Sequence, residues 1–190
     1  MQVEAKVSTR NVLLQRFLAV SVFAVLTGVA AQIRIPLPFS PVPVTGQTFV
    51  VLFAPLLVDQ LAGYSQIVYL LLGALGVPWF SDHRAGIQVL LGPTGGYLLG
   101  FIVASFLLGG IVKKYKILSA KQVLIWLAVV NFAVIYSVGL IQLYLWFALK
   151  GATLNLYKLL SMGFLPFIPG DLIKISLAAG VYSAYKRISK

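Results

Sequence analysis

Residues 162–182 read MGFLPFIPGDLIKISLAAGVY, an apolar run that carries two opposite charges, Asp171 and Lys174. A charge at bilayer depth costs roughly 2.5–3.5 kcal/mol on insertion scales, so an acid and a base inside such a run face a protein interior or a wet cavity and have a function there. A spacing of three residues puts both on one face of a helix. That face offers an acceptor with negative charge beside a positive point charge, which suits a small polar ligand bearing a carboxylate. The plainer reading is that the two neutralise each other and orient neighbouring helices.

The composition around this run is that of an integral membrane protein. Of the 190 residues, 60% are hydrophobic and 10% charged, against roughly 25% charged in soluble domains. Six apolar runs are visible, at 12–33, 48–58, 61–77, 95–112, 122–149 and 162–182. At about 20 apolar residues per span the chain has room for about six helices and no separate soluble domain. The expected fold is therefore an all-α integral membrane protein: one membrane domain over residues 1–190, a six-transmembrane-helix bundle with a structured proline-rich loop between helices 1 and 2. The second run is short, bounded by Pro41, Pro43 and Asp59. The first is too long for the h-region of a cleaved signal peptide and lacks a clear cleavage site, so it is expected to remain as helix 1. It contains Ala24 and Gly28, a small-xxx-small pattern that lets another helix approach closely.

Fifteen Lys and Arg against four Asp and Glu give a net charge of +11. Their positions argue against nucleic acid, because they fall almost wholly between and outside the apolar runs. With six spans and a cytoplasmic N-terminus, the inner segments hold Lys6, Arg10, Arg16, Lys113, Lys114, Lys116, Lys121, Lys186, Arg187 and Lys190. The outer ones hold Arg34, Arg84, Lys150 and Lys158. This imbalance follows the positive-inside rule with both termini cytoplasmic, and anionic membrane lipid accounts for the basic charge.

The inventory for chemistry is thin. There is no cysteine and one histidine, His83, which leaves no thiol nucleophile, no thiolate metal site and no ligand cluster for a metal. The phosphate-loop pattern G-x-x-x-x-G-K-[ST] is absent, so ATP is not bound in that way. No catalytic residue, metal or cofactor is expected, and a membrane enzyme is disfavoured.

The loops carry more information. In IPLPFSPVPVTGQT, residues 35–48, four prolines fix φ and remove backbone donors, giving a stiff extended segment that sets Gln47, Thr45 and Thr48 at the mouth or upper wall of a helical bundle. Farther on, Trp79, Phe80 and Tyr97 supply flat faces for a ring system, while Gly95 and Gly96 serve close packing. Asn131 and Gln142 are amides inside the fifth run and are expected to face inward. Asn131 offers donor and acceptor to a urea-like or amide group; Gln142 is read as an interhelical hydrogen bond.

Four segments, VPVTGQT (42–48), YLLLGALGVP (69–78), LGPTGGYLLGF (91–101) and PGDLIK (169–174), resemble the signature stretches of the BioY family, the biotin-binding S components of bacterial energy-coupling-factor (ECF) vitamin transporters. The resemblance runs in order from about residue 12 to residue 185. It implies a six-helix substrate-binding subunit of the bacterial cell membrane that holds biotin near the extracellular side. Transport then depends on a transmembrane coupling protein and two cytoplasmic ATPases on other chains. In that reading Asp171 accepts from the ureido N–H groups, Asn131 serves the ureido carbonyl or nitrogen, and Lys174 neutralises the carboxylate or joins a charge network with Asp171. Tyr97, Trp79 and Gln47 cover the rings. Ala24 and Gly28, with Thr27 and Ala31 on the adjoining stripe, resemble the surface that docks the coupling protein. Ser81-Asp-His-Arg84 departs from the small, glycine-rich stretch more usual in the family. The alternative is a self-sufficient ion-coupled carrier for a small carboxylate-bearing solute, in which Asp171 and Lys174 relay protons or ions; no inverted repeat supports it.

Overall fold

The fold is that of a computed structural model, which describes residues 9–115 and 119–188. Lys6, Lys116 and Lys190 of the inner charge set lie outside the described residues. Apolar runs free of internal proline form the long helices, because in lipid every backbone polar group must be satisfied within the segment. These are α1 (Thr9–Gln32), α5 (Gly95–Tyr115) and the continuous helical stretch Ala120–Leu149. The last comprises α6 (Ala120–Val129), a π-helical segment Val130–Ile135 and α7 (Tyr136–Leu149). Ser119 starts it with a capping box, its hydroxyl accepting from the Gln122 N–H while the Gln122 side chain accepts from the Ser119 N–H.

Between α1 and α5 the chain is more broken. A two-residue antiparallel pair, β1 (Arg34–Ile35) with β2 (Val44–Thr45), brackets the prolines in the register Arg34 to Thr45. Ser40 Oγ within it accepts from the Val42 N–H and donates to the Met162 carbonyl at 2.6 Å. Helices α2 (Gln47–Val58) and α3 (Leu61–Ala74) follow, joined at Asp59, whose φ of 49° reverses the chain. A short helix, α4 (Ile87–Leu90), leads into α5. At the C-terminal end α8 (Leu156–Gly163) meets α9 (Ile168–Ile188) through a 3₁₀ turn at Leu165–Phe167. Pro169 falls in the first turn of α9, where a missing N–H breaks no intrahelical bond.

Four stretches, Arg10–Gln32, Gly95–Tyr115, Ala120–Leu149 and Leu156–Ile188, are long and apolar enough to cross a membrane. The expected second and third spans are shorter, helices of 12 and 14 residues. The reversal at Asp59 and the positive φ of Gly76 ahead of Pro78 cut them off. A helix of 12 residues rises about 18 Å, less than the roughly 30 Å of a hydrocarbon core.

Helix α5 lies at the centre, against α2, α3 and α7, while α1 packs on α3 and α2, and α9 on α2 and α6. Gly96 is required by closeness, since a side chain there would run into the Val138 carbonyl. The small-residue stripe of α1 faces the interior of the chain. Ala24, Thr27 and Ala31 are 1%, 0% and 0% exposed, and a Cβ on the buried Gly28 would stand 3.1 Å from Trp79. Small side chains permit close approach here, to this chain's own α3 and the loop after it, so Ala24 and Gly28 form an internal seam. The outward face of α1 is apolar and bulky, with Leu14, Phe17, Val25 and Val29.

Candidate functional site

The start of α9 builds the site. Asp171 falls in its first turn, where free N–H groups and the helix dipole favour a carboxylate, and it is 1% exposed. One turn on, Lys174 Nζ donates to Asp171 Oδ1 at 2.8 Å and to Thr48 Oγ1 at 2.8 Å. Thr48, in the first turn of α2, itself donates to Oδ1 at 3.2 Å. The other oxygen, Oδ2, accepts from Asn131 Nδ2 at 2.8 Å and from the Tyr136 hydroxyl at 2.6 Å. A carboxylate has about four lone-pair sites, and donors from three helical segments occupy them.

The π-helical segment explains why Asn131 and Tyr136 converge. Residues five apart in a regular α-helix point in widely different directions. Here the Tyr136 N–H bonds back to the Asn131 carbonyl, the i+5 pattern of a π turn, and both side chains come to one face. Such turns are rare and concentrate at functional sites. Asn131 Oδ1 is buried and among the described residues has no hydrogen-bond partner, so the cluster holds one unspent acceptor beside a saturated carboxylate.

Asp171 and Lys174 form part of the lining of a cavity of about 610 Å³, measured with its open side. Thr45, Gln47 and Thr48 form one wall, and Tyr97, Phe101, Tyr136 and Phe167 another. Tyr97 and Tyr136 meet edge to face at 5.9 Å between ring centres, and the Tyr97 hydroxyl donates to the Gly163 carbonyl at 2.8 Å. Phe80, Ser81 and Arg84 come from the loop before α4. That loop is fastened to the end of α1: Gln32 Nε2 donates to the carbonyls of Trp79 and Phe80, and Arg34 pairs with Asp82 at 2.6 Å. Arg84 is exposed while Asp171 is buried, so the arginine marks the mouth and the carboxylate the floor.

Of the residues singled out in the sequence, Asp171, Lys174, Tyr97 and Gln47 line this cavity. The Gln47 amide is engaged at both ends, donating to the Tyr69 hydroxyl at 2.9 Å and accepting from Thr45 Oγ1 at 3.1 Å. Asn131 stands behind the lining and reaches it through Asp171. Trp79 is outside the lining; its indole N–H donates to the Tyr69 carbonyl at 2.9 Å, and its ring lies against Gly28. Gln142 makes the expected interhelical bond, donating to the Leu90 carbonyl at the end of α4 at 2.6 Å, and donates also to the Gly92 carbonyl in the turn that follows at 2.8 Å. Sequence reasoning missed Tyr136, which the α-helical period places off the Asn131 face, and named Arg84 as an outer charge and as part of a loop that departs from the family pattern, without assigning it a place in the site.

The BioY family model matches residues 1–190. The biotin transporter BioY of Thermotoga maritima is 35% identical over 179 residues, spanning 92% of this chain and 98% of that protein. The probable biotin transporter BioY of Methanothermobacter thermautotrophicus is 48% identical over 124 residues, 64% of this chain and 79% of its own. Among solved structures, the S-component for biotin from an ECF-type ABC transporter superposes with a TM-score of 0.82 at 26% identity, covering 94% of each chain.

Proposed function

The chain belongs to the BioY family, and from that membership we propose that it takes up biotin across the cell membrane as the substrate-binding subunit of an ATP-driven ECF transporter. The observation that carries the reading is the buried Asp171 carboxylate, ringed by donors at the floor of an aromatic-walled cavity with Lys174 beside it.

Biotin suits that gradient from floor to mouth. Its ureido ring presents two N–H donors and a carbonyl acceptor, its thiophane ring is apolar, and its valerate tail ends in a carboxylate. The ureido N–H groups bind Asp171 by replacing the Thr48 hydroxyl, whose 3.2 Å bond is the longest of the four, or reach the unspent Asn131 oxygen. Lys174, already against Asp171, belongs to this head-group end and donates to the ureido carbonyl. Tyr97 and Tyr136 flank the apolar ring, Gln47 holds the opposite wall through Tyr69, and Trp79 supports that wall from behind. The tail then runs outward, where Arg84 meets the carboxylate. A charge-assisted pair at each end fixes orientation as well as affinity.

In this reading residues 1–190 act as one membrane domain. Helices α2 and α3 complete a six-helix bundle with the four long stretches, and the proline-bearing loop contributes Val42, Pro43 and Thr45 to the cavity lining. The mouth faces outward and both termini face the cytoplasm, as the distribution of Lys and Arg favours. A transmembrane coupling protein and two ATPases, on other chains, supply the energy. Titration calorimetry of the detergent-solubilised chain with biotin tests the binding claim: a saturable one-to-one isotherm is expected, and its absence in folded protein removes the reading.

A further inference from the structure

Beside the candidate site lies a second cavity of about 620 Å³, again measured with its open side, between the turn after α4 and Trp146 of α7. We propose that it receives a group attached to the carboxyl end of the ligand, so that the chain binds biotin amides bearing an alkyl chain with a terminal carboxylate as well as free biotin. This rests on reading the first cavity as the biotin site.

Three residues, Arg84, Val89 and Thr94, line both cavities, so the partition between them is no thicker than their side chains. Val89 is buried and fixed. Arg84 is exposed, its Nε donates to the Ser81 carbonyl at 3.1 Å, and among the described residues it makes no ion pair. The movable part of the partition is therefore the guanidinium toward which the ligand tail runs. One wall of the second cavity is also anchored to the bundle. Gln142, by bonding the carbonyls of Leu90 and Gly92, clamps one of its walls to α7, and a wall fixed in advance costs nothing to order on binding.

The chemistry of the lining selects the appended group. Among the described residues, no acidic one contributes to it. Arg84 stands on one side, and on the other Lys150 Nζ sits 4.0 Å from the centre of the Trp146 ring. An amide at the biotin carboxyl removes the charge that Arg84 would meet, and a carboxylate at the far end of the chain restores it. The Trp146 face takes the intervening methylenes. An ammonium at the same position would meet two like charges.

The test is calorimetric titration of the detergent-solubilised full chain with biotin, with N-biotinyl-aminocaproate and with the biotin amide of cadaverine, two extensions that differ in terminal charge. The aminocaproate derivative is expected to bind within about tenfold of biotin, and the cadaverine amide at least about tenfold more weakly than the aminocaproate one. Gln88→Trp, which fills the second cavity from an exposed position, is expected to weaken the aminocaproate derivative at least about tenfold and to leave biotin within about twofold. Trp146→Ala, which removes the apolar wall, is expected to act in the same direction. The inference is overturned if the aminocaproate derivative binds more than about a hundredfold more weakly than biotin, if the cadaverine amide binds equally well, or if both variants leave its affinity unaltered or weaken biotin as much. Failure of biotin itself to bind the unaltered chain would instead overturn the reading of the first cavity, and this inference with it.

Discussion

Asn131 and Tyr136 donate to the same oxygen, Asp171 Oδ2, at 2.8 and 2.6 Å, across a π turn that brings residues five apart to one face. Asn131 reaches that oxygen from behind the lining and Tyr136 from the cavity wall, while Thr48 and Lys174 hold the other oxygen, Oδ1. The four donors are thus divided two and two between the oxygens.

Removing one orienting donor should show this division. Tyr136→Phe keeps the ring contacts with Tyr97 and Phe164 and deletes a hydrogen bond to a charged group, which is worth about 1.5–3 kcal/mol. Biotin affinity is expected to fall by about tenfold or more, measured by calorimetry, with the helical circular dichroism spectrum unchanged. An unaltered affinity would mean that Oδ2 plays no part in binding.

Asp171→Asn keeps the shape and removes the charge. It also turns two of the four acceptor positions into donors that face existing donors. Charge-assisted bonds are roughly twice as strong as neutral ones, so biotin binding is expected to weaken by at least about a hundredfold, or about 2.7 kcal/mol. A biotin isotherm identical to that of the unaltered chain, on folded protein, counts decisively against the site.

Lys174→Met separates pairing from recognition. Breaking a buried ion pair leaves an uncompensated charge and costs about 3–5 kcal/mol; here Lys174 is 16% exposed, which places the loss below that range. The double variant Asp171→Asn with Lys174→Met is expected to melt at a higher temperature than Lys174→Met alone, while binding biotin no better than either single variant. Normal binding by the double variant would reduce the pair to a structural device.

The acid and base of α9 were legible because charge in an apolar run is rare enough to carry meaning by itself. Tyr136 was not, because a tyrosine in an apolar helix is ordinary and the 3.6-residue period points it away from Asn131; no pattern in the chain announces a π turn. Trp79 shows a related gap: an aromatic residue in a loop reveals that a flat surface exists, without revealing which way it faces. Apolar runs gave the long helices, whereas α2 and α3 depended on where the chain reverses, at Asp59 and Gly76. A small-residue stripe likewise signals close approach and leaves the approaching partner open.

The seam on α1 gives the last prediction. A Cβ at Gly28 would lie 3.1 Å from Trp79, and Trp79 continues into Phe80 and Ser81, which line the cavity. Overpacking a tight contact costs about 1–3 kcal/mol, so Gly28→Leu is expected to lower the melting temperature by several degrees and to weaken biotin binding together with it. The displaced loop carries the cavity rim along. Val25→Leu changes bulk on the outward face of the same helix, where Val25 is 52% exposed, and is expected to leave both quantities unchanged. Thermal melts with and without biotin on the two variants provide the check. If Gly28→Leu keeps full stability and biotin affinity and loses only co-purification with a coupling protein, the stripe faces a partner after all and the internal seam is wrong.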